Sequence, residues 1–240
     1  MNPKYKILMI VLFSYIALVM IILYIVNINN VVILVSPNIS IKYESKKYKK
    51  IEFNPNLRYN IYVDNNFISN DFIKKDDDTF YFDNEIVKNL IAVSNNKTKV
   101  LNYEIKELEK ADYQETLENL DIKKYNEMTI AKKVLIDYDN DGQIEEINFL
   151  SNVFVDPFME DKDDKFSIIY TIKNGEINVI YNRKFSDDMD GCLISTPYII
   201  DVNNDDKYEM ITTCSYFDKL GTKTQIFELK KNKYNLVKEL

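Results

Sequence analysis

The chain of 240 residues has no histidine and no tryptophan, and only 4 glycines, 5 prolines and 2 cysteines. Without histidine, His-based acid–base catalysis, serine or cysteine triads and the common zinc sites are excluded. No glycine-rich phosphate loop occurs, which argues against nucleotide chemistry. Positive charge is in deficit: 31 Lys and Arg against 38 Asp and Glu leave a formal net charge of −7. That balance does not suit nucleic acid or anionic lipid as a main partner. What the chain has instead is tyrosine (18) and phenylalanine (13). Aromatics with so little glycine suit half-buried strands better than a helical bundle.

The longest hydrophobic run is N-terminal. From Ile7 to Val26 the chain is apolar apart from Ser14 and the tyrosines, with Lys4 and Lys6 just before it. A helix of that length spans about 30 Å, enough for a bilayer. A cleaved signal peptide competes with this reading. The run is long for one, however, and no A-x-A-like cleavage site follows, so an uncleaved anchor over residues 1–28 is expected. Lys4 and Lys6 place the N-terminus inside. Lys42, Lys46, Lys47, Lys49 and Lys50 follow the span and weigh the other way, but they belong to a long domain that translocates largely regardless of charge. The expectation is a single-pass cell-membrane protein with a cytoplasmic N-terminus and an extracytoplasmic C-terminal domain. The shorter run Val31–Val35 either continues the helix or begins the first strand.

Past the anchor, short apolar alternations recur at Ile39–Tyr43, Tyr48–Phe53, Tyr59–Val63, Thr79–Phe82, Leu90–Val93 and Val100–Ile105, separated by Asn- and Pro-containing turns. They predict a small β-sandwich-like domain over 38–110. Gln114–Asn126 is polar, with Leu117, Leu120 and Ile122 at loosely helical spacing, and residues 111–128 read as a linker or short helix. Lys46–Lys50 reads as a solvated strand edge, with contact to a wall polymer as the alternative.

Two stretches from 129 onward repeat one pattern. Asp137-Tyr-Asp139-Asn-Asp141-Gly142-Gln143-Ile-Glu145 and Asp201-Val-Asn203-Asn-Asp205-Asp206-Lys207-Tyr-Glu209 start 64 residues apart and carry oxygen-bearing side chains at positions 1, 3, 5 and 9. Such spacing on a curled loop gathers hard oxygens around one point. Carboxylates that close repel one another, and a divalent cation with six to eight oxygen ligands, naturally Ca2+, removes the conflict. The alternative is two Asp-rich hairpin turns without metal. An EF-hand is excluded, because position 12 is Asn148 or Thr212 instead of Glu, and the flanks are rich in β-branched residues as strands are. Further strands flank Lys173-Asn174-Gly175-Glu176 and Lys230-Lys-Asn-Lys233, so each unit reads as an acidic hairpin followed by a plain one.

The pattern D-x-D/N-x-D-G-x-x-E between hydrophobic strands resembles the FG-GAP repeat of integrin-type propellers and the related VCBS repeats of bacterial surface proteins, over about residues 129–240. The resemblance implies two four-stranded, propeller-blade-like β repeats with calcium between the first two strands of each, in a cell-surface setting. It implies Asp137, Asp139, Asp141, the Gln143 carbonyl and Glu145 as ligands of one site. The other would use Asp201, Asn203, Asp205, the Lys207 carbonyl and Glu209. Asp206 departs from the pattern where Gly is wanted, and the second site has one carboxylate fewer, so weaker binding is expected there. Two blades do not close a propeller.

Cys192 and Cys214 fall close to facing each other across the second hairpin, compatible with a disulfide; two free thiols are the alternative. Acidic clusters at 156–164 and 187–190 read as solvated loops, with further calcium ligands or the lining of a catalytic cleft as the alternatives. The expected fold class is thus mainly β: a transmembrane helix, a sandwich-like domain, then two blade-like repeats. The expected function is an anchored extracytoplasmic binding or adhesion module rigidified by calcium, meeting an unknown protein or carbohydrate surface ligand. A carbohydrate- or cell-wall-active hydrolase using an Asp/Glu pair is the alternative.

Overall fold

The apolar run at 31–35 is a strand and does not continue a helix. In a computed structural model, which describes residues 12–20, 30–36, 39–63, 65–76, 79–83, 85–86, 90–94, 98–125, 130–153, 164–185, 192–195, 197–202, 205–216 and 221–240, it forms β1 (Asn30–Ser36). Val31, Ile33 and Leu34 are all fully buried, so both faces of β1 are covered. A central strand reads as a continuous hydrophobic run for that reason. Residues 12–20 are helical (α1), with Leu12, Phe13, Ile16 and Met20 exposed. Among the described residues no helix is long and apolar enough to cross a membrane, and most of the expected anchor, 1–28, lies outside them.

The chain divides into two compact units, Met1–Thr98 and Lys99–Leu240. In the first, β1 is followed by β2 (Ile39–Glu44), β3 (Lys47–Ile51), β4 (Arg58–Val63), β5 (Asn66–Phe72), β6 (Lys74–Asp76), β7 (Thr79–Phe82), β8 (Glu85–Ile86) and β9 (Leu90–Val93). Six of them form one sheet in the order β3-β2-β1-β9-β4-β5, and β6-β7-β8 form a second. Phe80 of β7 and Ile73 pack with Val32, Leu34, Tyr59 and Ile61 of the larger sheet in one core. Ser45 and Lys46 take positive φ (52° and 61°) in the turn before β3, and β3 is an edge strand with exposed Lys47, Lys49 and Lys50. That placement agrees with a lysine-protected edge.

The unit boundary differs from the expected one. The first unit ends at Thr98 instead of 110, because β10 (Lys99–Val100) and β11 (Glu104–Glu107) pair with strands of the second unit. An alternating pattern marks a strand but not the sheet it joins. Of the two readings of 111–128, linker or short helix, the structure has a helix, α2 (Lys110–Asn119), which begins before the polar stretch at 114–126. The Glu109 N–H donates to Asp112 Oδ2 at 2.9 Å, and Asp121 (φ 57°) closes the far end.

The second unit continues with β12 (Ile130–Ile136), β13 (Glu145–Asn152), β14 (Lys165–Lys173), β15 (Glu176–Phe185), β16 (Cys192–Ile194), β17 (Tyr198–Asp201), β18 (Glu209–Tyr216), β19 (Thr222–Lys230) and β20 (Lys233–Glu239). Its two sheets follow one plan, an edge strand plus a four-stranded antiparallel meander: β11-β12-β13-β14-β15 and β10-β17-β18-β19-β20, with β16 also pairing β18. Asn174-Gly175 (φ 52°, 79°) and Lys231-Asn232 (φ 53°, 60°) turn the plain hairpins, the conformation a two-residue hairpin turn requires. Val134, Ile147, Phe149 and Ile169 of one sheet share a core with Ile199, Met210, Cys214 and Phe227 of the other. On β14 the alternate residues Phe166, Ile168 and Tyr170 point the other way and pack with Tyr113 and Leu117 of α2. The repeats are therefore two stacked sheets, one also covered by a helix, and they close no propeller.

Cys192 and Cys214 are disulfide-bonded with Cα atoms 5.3 Å apart. The ladder pairs Cys192 with Tyr216 and Ile194 with Cys214, so the bond joins diagonal neighbours of β16 and β18.

Candidate metal centre

Both acidic stretches lie where a meander makes its first turn, between β12 and β13 and between β17 and β18. Their backbones share one hydrogen-bonding frame. Asp137 Oδ1 and Oδ2 accept from the N–H groups of Asp141 (3.1 Å) and Gly142 (2.9 Å). Asp201 accepts in the same way from Asp205 (3.1 Å) and Asp206 (3.2 Å). Asp141 Oδ1 accepts from the Gln143 N–H at 2.9 Å, and Asp205 Oδ1 from the Lys207 N–H at 3.0 Å. Glu145 Oε2 accepts from the Tyr138 N–H at 3.2 Å, and Glu209 Oε2 from the Val202 N–H at 2.8 Å. Four bonds in one loop are thus matched by four in the other. Gly142 (φ 87°) and Asp206 (φ 59°) occupy equivalent left-handed positions, so the departure from Gly leaves the loop geometry intact. Asn203 lies outside the described residues.

In the first loop the frame gathers carboxylate oxygens of Asp137, Asp139 and Glu145 within 4.8 Å of one another. Asp139 and Glu145 are enclosed, their side chains 6% and 1% exposed, whereas that of Asp141 is 37% exposed. The sequence pattern missed a fourth participant. The Lys173 ammonium, at the end of β14, sits 2.6 Å from Asp139 Oδ2, 2.7 Å from Asp141 Oδ2 and 2.8 Å from Glu145 Oε1. Strand register brings it there: β13 and β14 pair Glu146 with Ile172, and one step further along the ladder faces Glu145 to Lys173. Burial alone would depress Lys173, but its bonds to Asp139, Asp141 and Glu145 outweigh that and hold the ammonium well above the usual lysine range. Burial raises the Glu145 carboxyl, with Lys173 opposing.

In the second loop the facing strand offers no lysine at the equivalent place. The β18–β19 ladder pairs Met210 with Phe227, so the same step faces Glu209 to Glu228, whose carboxylate pairs with Lys230 at 2.8 Å. Burial pushes Glu209 up to about 8; the Val202 N–H opposes the shift, and Asp205 and Asp201 add to it. Lys99, on β10, meets the loop at its exposed rim, 2.8 Å from Asp206.

Three tyrosines link the loops. Tyr138 of the first loop packs on Tyr234 of β20 with ring centroids 5.1 Å apart. Tyr234 is buried, and its hydroxyl has no hydrogen-bond partner among the described residues. Its ionisation is opposed by burial, then by Tyr138, Glu209, Glu145 and Asp139, carboxylates drawn from both loops. Tyr208 of the second loop is raised by burial, and Asp137 of the first is among the charges acting on it. Carboxylates of both acidic loops therefore act on the same buried tyrosine.

The donor set consists of hard oxygens, and one is left over: Asp139 Oδ1 is buried without a partner among the described residues. An enclosed carboxylate oxygen with no proton donor fits a site meant for a hard cation. Of the expected ligands, Asp137, Asp139 and Glu145 are brought together and Asp141 joins them through Lys173, while Gln143 and Lys207 are exposed on the loop rim. In the acidic cluster at 156–164, the described member Asp164 is structural, accepting from the N–H groups of Lys123 (3.2 Å) and Lys124 (3.1 Å). The cluster at 187–190 lies outside the described residues. Comparison of the chain with family models, curated proteins and solved structures returns no match.

Proposed function

We propose that residues 99–240 form a calcium-stabilised β-repeat module of the FG-GAP/VCBS kind, an adhesion or binding unit carried outside a cell by an apolar N-terminal anchor. The observation that carries the reading is the first loop, where Asp137, Asp139 and Glu145 converge within 4.8 Å and Asp139 Oδ1 is buried without a partner among the described residues. Asp137, Asp139, Asp141 and Glu145 would hold the first ion, Asp201, Asn203, Asp205 and Glu209 the second, with the Gln143 and Lys207 carbonyls completing the shells. The ion's work is mechanical. It neutralises clustered acids at the end of two stacked sheets and fixes the loops that a partner would meet.

Three further features favour this setting. The Cys192–Cys214 disulfide persists in oxidising compartments. The exposed apolar side chains of α1 suit lipid better than water. Millimolar extracellular calcium fills sites of modest affinity. A sugar hydrolase finds less support, because the carboxyls shifted upward, Glu145 and Glu209, are buried and closed to a substrate. Thermal melting of the full-length chain in mild detergent tests the proposal. Calcium at about 100 times its dissociation constant adds about 2.7 kcal/mol, a rise of about 5–10 °C for a unit this size. Equal melting in calcium and in EGTA defeats it.

A further inference from the structure

Resting on the calcium reading, we infer that Lys173 is a built-in occupant of the first loop: its ammonium closes the carboxylate cage in the metal-free protein, and a divalent cation enters only by expelling it. The geometry is that of a competitor. An ammonium has three protons, and Lys173 directs its charge at three carboxylates, Asp139, Asp141 and Glu145, at 2.6, 2.7 and 2.8 Å. Those are also side chains the ion would need. Calcium takes the same oxygens at about 2.3–2.6 Å, so the two cations compete for one position.

The ammonium fills the cage incompletely. It leaves Asp139 Oδ1 without a partner among the described residues, and its one positive charge pairs with Asp139, Asp141 and Glu145 while Asp137 adds a fourth carboxylate to the cluster. A dication serves this donor set better on both counts, but only after displacing a cation tethered to the same sheet. The second loop shares the backbone frame and faces its buried glutamate with Glu228, so it has no such occupant from the facing strand. Lys173 thereby lowers the calcium affinity of the first loop while keeping that loop formed when calcium is scarce.

The test compares the full-length chain with its Lys173→Met and Lys173→Gln variants by calorimetric calcium titration. Terbium luminescence is sensitised by Tyr138 in the first loop and by Tyr208 in the second, so the first-loop component is taken as the part of the signal that Asp139→Ala removes. Both variants are expected to bind at the first loop on the order of tenfold more tightly, and to melt lower than wild type in EGTA but not in calcium. In wild type, the nitrogen-15 signal of the Lys173 ammonium is expected to shift when calcium saturates the protein, a readout that needs no variant. If wild type binds calcium at the first loop with an unmoved Lys173 signal and the same affinity as the variants, the competitor idea falls and the calcium reading stands. If neither wild type nor variants take up calcium or terbium, both fall.

Discussion

The two repeats of the second unit share a loop frame and differ in how they manage charge. In the first, three acids, Asp139, Asp141 and Glu145, hold the Lys173 ammonium and the sheet's other face is covered by α2. In the second, Glu209 is buried with no facing lysine and β16 is tied to β18 by the disulfide. The backbone geometry is therefore indifferent to the occupant. Asp at position 1 and Glu at position 9 organise the loop by accepting N–H groups, whatever neutralises them. The difference teaches that a cation-binding loop has a scaffold and a charge solution, and that one chain can vary the second while keeping the first.

The largest expected difference concerns the disulfide, which the first repeat lacks. Reduction, or Cys192→Ser with Cys214→Ser, should cost about 3 kcal/mol on loop-closure grounds, read by denaturant unfolding. No loss on reduction would show that pairing of β16 with β18 needs no covalent help.

Next come the frame aspartates. Asp201 is fully buried and takes two backbone N–H groups, so Asp201→Ala in EGTA should cost about 2 kcal/mol. The more exposed Asp137→Ala should cost about half as much. Equal losses would deny that burial distinguishes the two loops.

Charge gives the third contrast, in calcium-free solution. Burial lifts Glu209 from the ordinary 4.5 to about 8, so the folded chain keeps a proton that the unfolded chain releases. Its stabilising contribution is complete below about pH 4.5 and is lost as pH rises toward 8, with a slope of at most ~1.4 kcal/mol per pH unit. Between about pH 5.5 and 7.5 this amounts to ~2 kcal/mol, and Glu209→Gln should flatten the slope. A slope unchanged by that variant would place the titrating group elsewhere.

The smallest effect belongs to position 6. Gly142 has φ 87°, and an added Cβ would meet nothing within 4 Å, so Gly142→Ala should cost about 1 kcal/mol from backbone conformation alone. A neutral result would mean the first loop relaxes out of the left-handed region that Asp206 tolerates in the second.

Much of this was legible in the sequence because it is local. The 1-3-5-9 spacing located both loops, and Asn174-Gly175 located a hairpin, since turn chemistry is written in adjacent residues. The cysteine pair could be guessed from hairpin symmetry, although the register put it on a diagonal. Lys173 was hidden for the opposite reason. It reads as the flank of a turn and becomes a cage member only when β14 pairs with β13, a relation between residues 28 apart. Tyr234 is more remote still: it packs on Tyr138 from β20 and feels the charge of Glu145 and Glu209. The strands at 99–107 were visible as strands, but their choice of sheet is set by packing that no alternation encodes. The loosely helical spacing near 117–122 suggested a short helix, but not that its few apolar residues, Tyr113 and Leu117, would cover one sheet.

Calcium titration of the full-length protein by calorimetry, with Asp139→Ala alongside, tests the central claim most directly. The account predicts saturable uptake by wild type and loss of the first-loop component in the variant, with the second retained. Heats of dilution alone, identical in both proteins, would contradict it.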